Sequence, residues 1–358
     1  MSESIFTKGR GATLNARSTR FDDAQRVVDG DWRDEAEALD GVAPPPSTTT
    51  TIERPKTIIS RNVSPDVPFD RSINAYRGCE HGCIYCLARP THAFHNLSPG
   101  LDFETRLFAK PDAPRLLRAE LSKRGYTPAT IAMGTNTDPY QPIEDTHRVT
   151  HGLLEVLLEF GHPVSIVTKS DRVTRDIDLL GELAARGLVS VGVSVTTLDP
   201  VLARKLEPRA PAPKRRLAAV TRLLDAGVPV AVLIAPVIPA ITDHEIETLV
   251  EAAAQAGARA AYCIPVRLPN EVAPLFRDWL ATHFPERAAH VMSLIRGMRG
   301  GRDNDPDFGT RMRGEGPFAE LIRTRFNAAR RRFGLEGRLP DLRTDLFRRP
   351  GPEQLALL

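Results

Sequence analysis

Between residues 72 and 264 the chain repeats one alternation, a short β-branched apolar run followed by a helical pattern, which restricts the fold to the α/β class. The runs lie at 72–76, 130–133, 163–168, 189–195, 230–235 and 259–264, with helical patterns at 111–124, 146–160, 175–186, 213–226 and 243–256. Gly125, Gly187, Gly227 and Gly257 stand where helix C-caps are needed. Consecutive parallel strands joined by right-handed helical crossovers build an open, partial (β/α)6 barrel. In such a sheet the loops after the strands face the ligand, so those loops are where chemistry is expected.

The first of these loops holds the densest chemistry in the chain. Cys79, Cys83 and Cys86 form a C-x3-C-x2-C triplet, and Cys263 is far away in sequence. Closely spaced thiolates on one loop wrap a zinc ion or an iron–sulfur cluster at little loop-closure cost. Three sulfurs on a four-iron cluster leave one iron open. A zinc site completed by His81 or His92 is the alternative. A disulfide framework is disfavoured, because the cysteines are few and clustered and the N-terminus has no signal-peptide architecture.

With Tyr85 just before the third cysteine, the triplet resembles the motif of the radical S-adenosylmethionine (radical SAM) superfamily. The wider string from Arg77 to His92 is similar to a bacterial branch related to spore photoproduct lyase. The resemblance implies a [4Fe-4S] cluster on Cys79, Cys83 and Cys86, with SAM chelated at the open iron. It also implies an external one-electron reductant and a 5′-deoxyadenosyl radical that abstracts hydrogen from a substrate. A lyase-like reaction on nucleic acid is the substrate expectation by analogy. The alternative from another class is a non-enzymatic module that binds zinc or an iron–sulfur cluster and holds nucleic acid with its basic ends.

The strand-end loops supply the remaining candidates. The superfamily often carries a Gly-Gly-Glu after the second strand; here Thr137 and Asp138 stand in that loop, as in the photoproduct-lyase-like branch, and accept the SAM ammonium in this reading. Lys169 follows the third strand and is read as a partner for a carboxylate or a substrate anion. Ser194 and Thr196 follow the fourth strand and offer hydroxyls to SAM. Arg209 is spaced as an arginine for the SAM carboxylate, which its planar fork suits. Tyr85 is expected to cover the adenine. Cys263, ending the sixth strand, is the candidate hydrogen-atom donor, against the plain reading of a buried small hydrophobe.

At 358 residues the chain has room for such a barrel plus extensions: an arm at 1–57, a core at 58–300 and a C-terminal extension at 301–358. A net charge of +3 is too small to imply nucleic-acid binding by itself. No apolar run approaches a membrane span, and a reducing cytoplasm is the expected compartment.

Overall fold

The computed structural model describes residues 9–16, 18–20 and 47–350. Its main sheet has seven strands in the order β10-β9-β8-β7-β6-β3-β2. These are β2 (Ile59–Arg61), β3 (Arg71–Ile73), β6 (Ile131–Met133), β7 (Val164–Thr168), β8 (Val189–Ser194), β9 (Val230–Val237) and β10 (Ala260–Pro265). From β3 to β10 every neighbouring pair is parallel, and β2 adds antiparallel at the β3 edge. No pairing joins β10 to β2 or β3 among the described residues, so the barrel is open, as the run pattern predicts.

Strands covered on both faces need apolar residues on both faces. β8 is buried at every position. Helices α2 (Ala113–Leu121), α4 (Val149–Glu159), α5 (Ile177–Ala185), α7 (Pro213–Asp225) and α8 (Ile246–Gln255) follow in turn, with three short helices between them: α1 (Leu101–Thr105) before α2, α3 (Glu144–His147) before α4, and α6 (Pro200–Leu206) in the β8 connection. At the end of α5, Gly187 takes φ 69° and its N–H bonds back to Ala184, the left-handed cap that its position predicts.

One helix differs from expectation. The helix expected over 146–160 is broken at Arg148, which adopts φ 47° between α3 and α4. Beyond β10 come two further helices, α9 (Val272–His283) and α10 (Pro285–Gly297), separated at Phe284 because a residue before proline is driven out of the helical region.

A second, three-stranded sheet joins β1 (Thr49–Ile52), β5 (Arg106–Ala109) and β4 (Tyr76–Arg77) in the order β1-β5-β4. Thus part of the segment expected as an arm is built into the fold. The extension beyond residue 300 contains α11 (Gly316–Arg332), which packs on α8 and β10. Its preceding loop crosses the open side of the barrel. Arg299 donates to the carbonyls of Pro265 and Val266 beside β10, while Arg311 pairs with Asp66 next to β3.

Two buried histidines make stability pH-dependent. His92 bonds through Nε2 to the Arg106 carbonyl at 2.9 Å; His162 bonds to the Pro163 carbonyl at 3.0 Å and to the Tyr126 hydroxyl at 2.8 Å. Burial lowers each to about 4 from the ordinary 6.5. The unfolded chain therefore takes up protons near pH 6.5 that the folded chain refuses until about 4. The stabilisation is complete above pH 6.5 and is lost as pH falls toward 4, by up to roughly 3 kcal/mol per histidine. Urea midpoints of the metal-free protein at pH 7.5 and 4.5 should differ accordingly. Equal midpoints would show that neither histidine is held neutral.

Candidate active site at the strand ends

The cluster loop runs from Gly78 to Ala88 and is fixed from both sides. Beneath it lies Arg89, fully buried, whose guanidinium donates to the carbonyls of Gly82 (3.1 Å), Cys83 (2.9 Å), Pro99 (3.0 Å) and Gly100 (2.9 Å) and pairs with Glu104 at 2.5 Å. Glu104 is also fully buried, and its two oxygens accept the backbone N–H groups of Gly11 (2.9 Å) and Ala12 (2.8 Å). The N-terminal strap so held passes within touching distance of the loop. A Cβ on Gly11 would fall 1.7 Å from the Gly82 carbonyl oxygen, so only glycine fits there. From the other side Gln141 donates to the Gly78 carbonyl (3.1 Å) and to the Thr137 hydroxyl (2.9 Å), and accepts the N–H of Glu80 (3.0 Å).

Above this loop is a cavity of about 250 Å3. Cys79, Cys83 and Cys86 line it together, with Tyr85, Thr137, Asp138, Lys169 and Ser194 contributed by three successive strand ends and the loop itself. All three cysteines are free thiols, and burial, then neighbouring negative groups for Cys79 and Cys83, pushes their pKa values up. Among the described residues no three His, Cys, Asp or Glu side chains converge as ligands of a single metal ion. His92, read from sequence as a possible zinc ligand, packs edge-on to Phe103 and holds a backbone carbonyl. His81 does line the cavity, with Nδ1 3.3 Å from Asp138 Oδ2, too poorly aligned for a hydrogen bond.

The polar candidates are pinned to one another. Asp138 accepts from Thr168 Oγ1 (2.7 Å), the Lys169 N–H (2.8 Å) and the Tyr140 N–H (2.9 Å). Burial raises its pKa, but His81 and these donors outweigh that and hold it below the ordinary value. Thr137 gives its hydroxyl hydrogen to the Gly78 carbonyl at 2.6 Å. Lys169 lies 3.2 Å from Glu207 Oε1 and 5.5 Å from the centre of the Tyr85 ring.

Glu207 is the hub that sequence reasoning passed over. It is buried against Arg216, receives the Thr196 hydroxyl at 2.6 Å and takes the Tyr85 hydroxyl hydrogen. Burial works against its charge, yet Arg216 and Lys169 keep it far below the usual carboxylate range. Arg216 in turn donates to the Ser194 carbonyl at 3.1 Å, which ties β8 to this network.

Three candidates stand apart from the cavity. Thr196 sits in the wall, bonded to Glu207. Arg209 is turned onto Glu80 at 2.8 Å, a long-range pairing that its spacing does not reveal. Cys263 precedes Ile264 and Pro265, which line the cavity, but is not itself a lining residue; it packs on the core, where burial raises it to about 12. Its expected role as hydrogen-atom donor into the cavity is therefore not matched by its position. Arg267, just past β10, lines the cavity and was missed, although the strand-end rule reaches it.

A match to the family model of the radical SAM superfamily covers residues 73–253, about half of the chain, from β3 through α8. The chain belongs to the radical SAM superfamily. It is thus an enzyme of a superfamily that uses a [4Fe-4S] cluster and SAM. An uncharacterised protein of Mycobacterium tuberculosis strain H37Rv is 38% identical over 232 residues, 64% of this chain and 68% of that one. An uncharacterised protein of Methanocaldococcus jannaschii is 30% identical over 173 residues, 48% and 62% of the two chains. Among solved structures, spore photoproduct lyase complexed with dinucleoside spore photoproduct is similar in fold, with a TM-score of 0.54 at 16% identity over 79% of each chain. Among the described residues of this radical SAM enzyme, no helix is long and apolar enough to cross a membrane.

Proposed function

We propose that Cys79, Cys83 and Cys86 ligate the [4Fe-4S] cluster and that SAM occupies the cavity above them. The observation that carries this reading is the convergence of all three thiols on one cavity at the C-terminal ends of parallel strands. The donor set fits: the thiols are soft and unpaired, and they sit on a loop whose backbone is immobilised by Arg89 and Gln141. Held by these three thiolates, a [4Fe-4S] cluster would supply the one-electron chemistry that cleaves SAM to methionine and a 5′-deoxyadenosyl radical for hydrogen abstraction from a substrate.

The chain's own residues bind and orient. Asp138, with three donors on its carboxylate, fixes the β6 loop and keeps acceptor capacity for the SAM ammonium. Lys169 and Ser194 offer a cation and a hydroxyl to the polar end of SAM. Tyr85, clamped by Glu207, forms a rigid aromatic wall that excludes water. Thr196 and Arg209 act behind that wall, through Glu207 and Glu80. An external one-electron reductant is required by this chemistry, and a cytoplasmic location is consistent with three unpaired thiols.

For the substrate we read nucleic acid. Support comes from the fold shared with spore photoproduct lyase and from Phe308, exposed four residues before the cavity residue Met312 in sequence, with Arg311 4.4 Å from its ring centre, a pairing suited to base stacking.

Metal analysis after anaerobic reconstitution tests the ligand assignment. Close to four irons and four sulfides per chain are expected in the wild type, with loss in Cys79→Ser, Cys83→Ser or Cys86→Ser and retention in Cys263→Ser. Zinc at one per chain without sulfide would favour the zinc module instead.

A further inference from the structure

The lining of the cavity also includes Ile264, Pro265, Arg267 and Met312, contributed by the end of β10 and the loop that precedes α11. The structure assigns to Arg267 a site for an oxyanion, a carboxylate or phosphate group, held in the cavity; this rests on the radical SAM reading of that cavity.

The argument is one of unmet bonding. A guanidinium carries five N–H donors. Arg267 Nε is buried without a hydrogen-bond partner, and Nη1 reaches only the Met312 sulfur, a weak acceptor, at 3.2 Å. The two carboxylates whose charge reaches it are committed elsewhere. Asp66 accepts from Arg311 and from the Gly309 N–H, and Asp305 accepts from Thr310 Oγ1 at 2.6 Å and the Asp307 N–H at 2.9 Å. Arg311 adds like charge, so burial first and Arg311 second lower the Arg267 pKa.

The other cations around the site are matched differently. Lys169 and Arg216 share Glu207, and Arg209 has Glu80. Arg267 is thus a partly buried cation, aimed into the cavity, with no ion pair among the described residues. A fold does not hold such a group for stability, since an unpaired buried cation is a cost. An incoming oxyanion supplies the missing acceptors, and the planar fork can meet it with two parallel bonds.

Two sources carry that chemistry: the α-carboxylate of SAM, or a carboxylate or phosphate of the substrate. Calorimetric titration of SAM, inorganic phosphate and acetate into the reconstituted wild type and Arg267→Gln separates them. A tenfold or greater loss of SAM affinity in Arg267→Gln places the SAM carboxylate at Arg267. Loss of phosphate or acetate binding with SAM affinity unchanged places a substrate anion there.

If no titrant distinguishes the variant from the wild type, the inference is overturned. The thermal midpoint provides a second decision. A ligand-binding arginine leaves the midpoint equal or higher when replaced, and a drop of several degrees would mark Arg267 as a structural group and overturn the assignment. Iron and sulfide content, measured on the same samples, reports failure of the radical SAM reading separately.

Discussion

An Arg89→Ala variant is expected to lose both stability and its metal centre. Arg89 and Glu104 are each 0% exposed, so removing the guanidinium leaves a buried carboxylate without its cation, at a cost of about 3–5 kcal/mol. It also strips donors from the carbonyls of Gly82 and Cys83, the backbone that aims Cys83 into the cavity. Arg89→Lys should not restore the loop, because a single ammonium cannot reach carbonyls on both the cluster loop and the Pro99–Gly100 turn. Denaturant midpoints and iron bound per chain after reconstitution measure the two effects. Wild-type iron content in Arg89→Ala would mean that the cluster loop holds its shape without the clamp.

Glu207→Ala should be of similar size and act on the opposite wall. The substitution leaves Arg216, 1% exposed, and Lys169 without their shared carboxylate, and it frees the Tyr85 hydroxyl. A loss of about 3–5 kcal/mol is expected from the stranded buried cation. Pairing Glu207→Gln with Arg216→Met should recover much of that loss, since the cost lies in the unpaired charge and not in the absent bridge. Additive losses in the double variant would show that the pair is stabilising in its own right.

The strands were legible because each is covered on both faces and so reads as an apolar run; 163–168 and 189–195 differ from β7 and β8 by a residue at an end. The cluster loop was legible because its chemistry is local, three thiols between residues 79 and 86. Short pairings were not: Tyr76–Arg77 reads as a continuation of β3, and it becomes a separate strand only because β5 lies beside it. Glu104 offers no pattern in sequence, since its partners, Gly11, Ala12 and Arg89, come from separate segments. The same holds for Arg209. Its residue type suits a SAM carboxylate, but the fold places Glu80 within reach first. Cys263 illustrates a finer limit, because Ile264 and Pro265 line the cavity while Cys263, one residue earlier and beside a register irregularity, packs on the core.

The most direct measurement of the central claim is 5′-deoxyadenosine formation. The anaerobically reconstituted wild type, reduced with dithionite in the presence of SAM, is predicted to release the nucleoside, and Cys83→Ala to release none. Faster release on adding single-stranded or irradiated DNA would support the substrate reading. A wild type that binds iron and sulfide, is reduced, and leaves SAM intact with and without DNA would contradict the account.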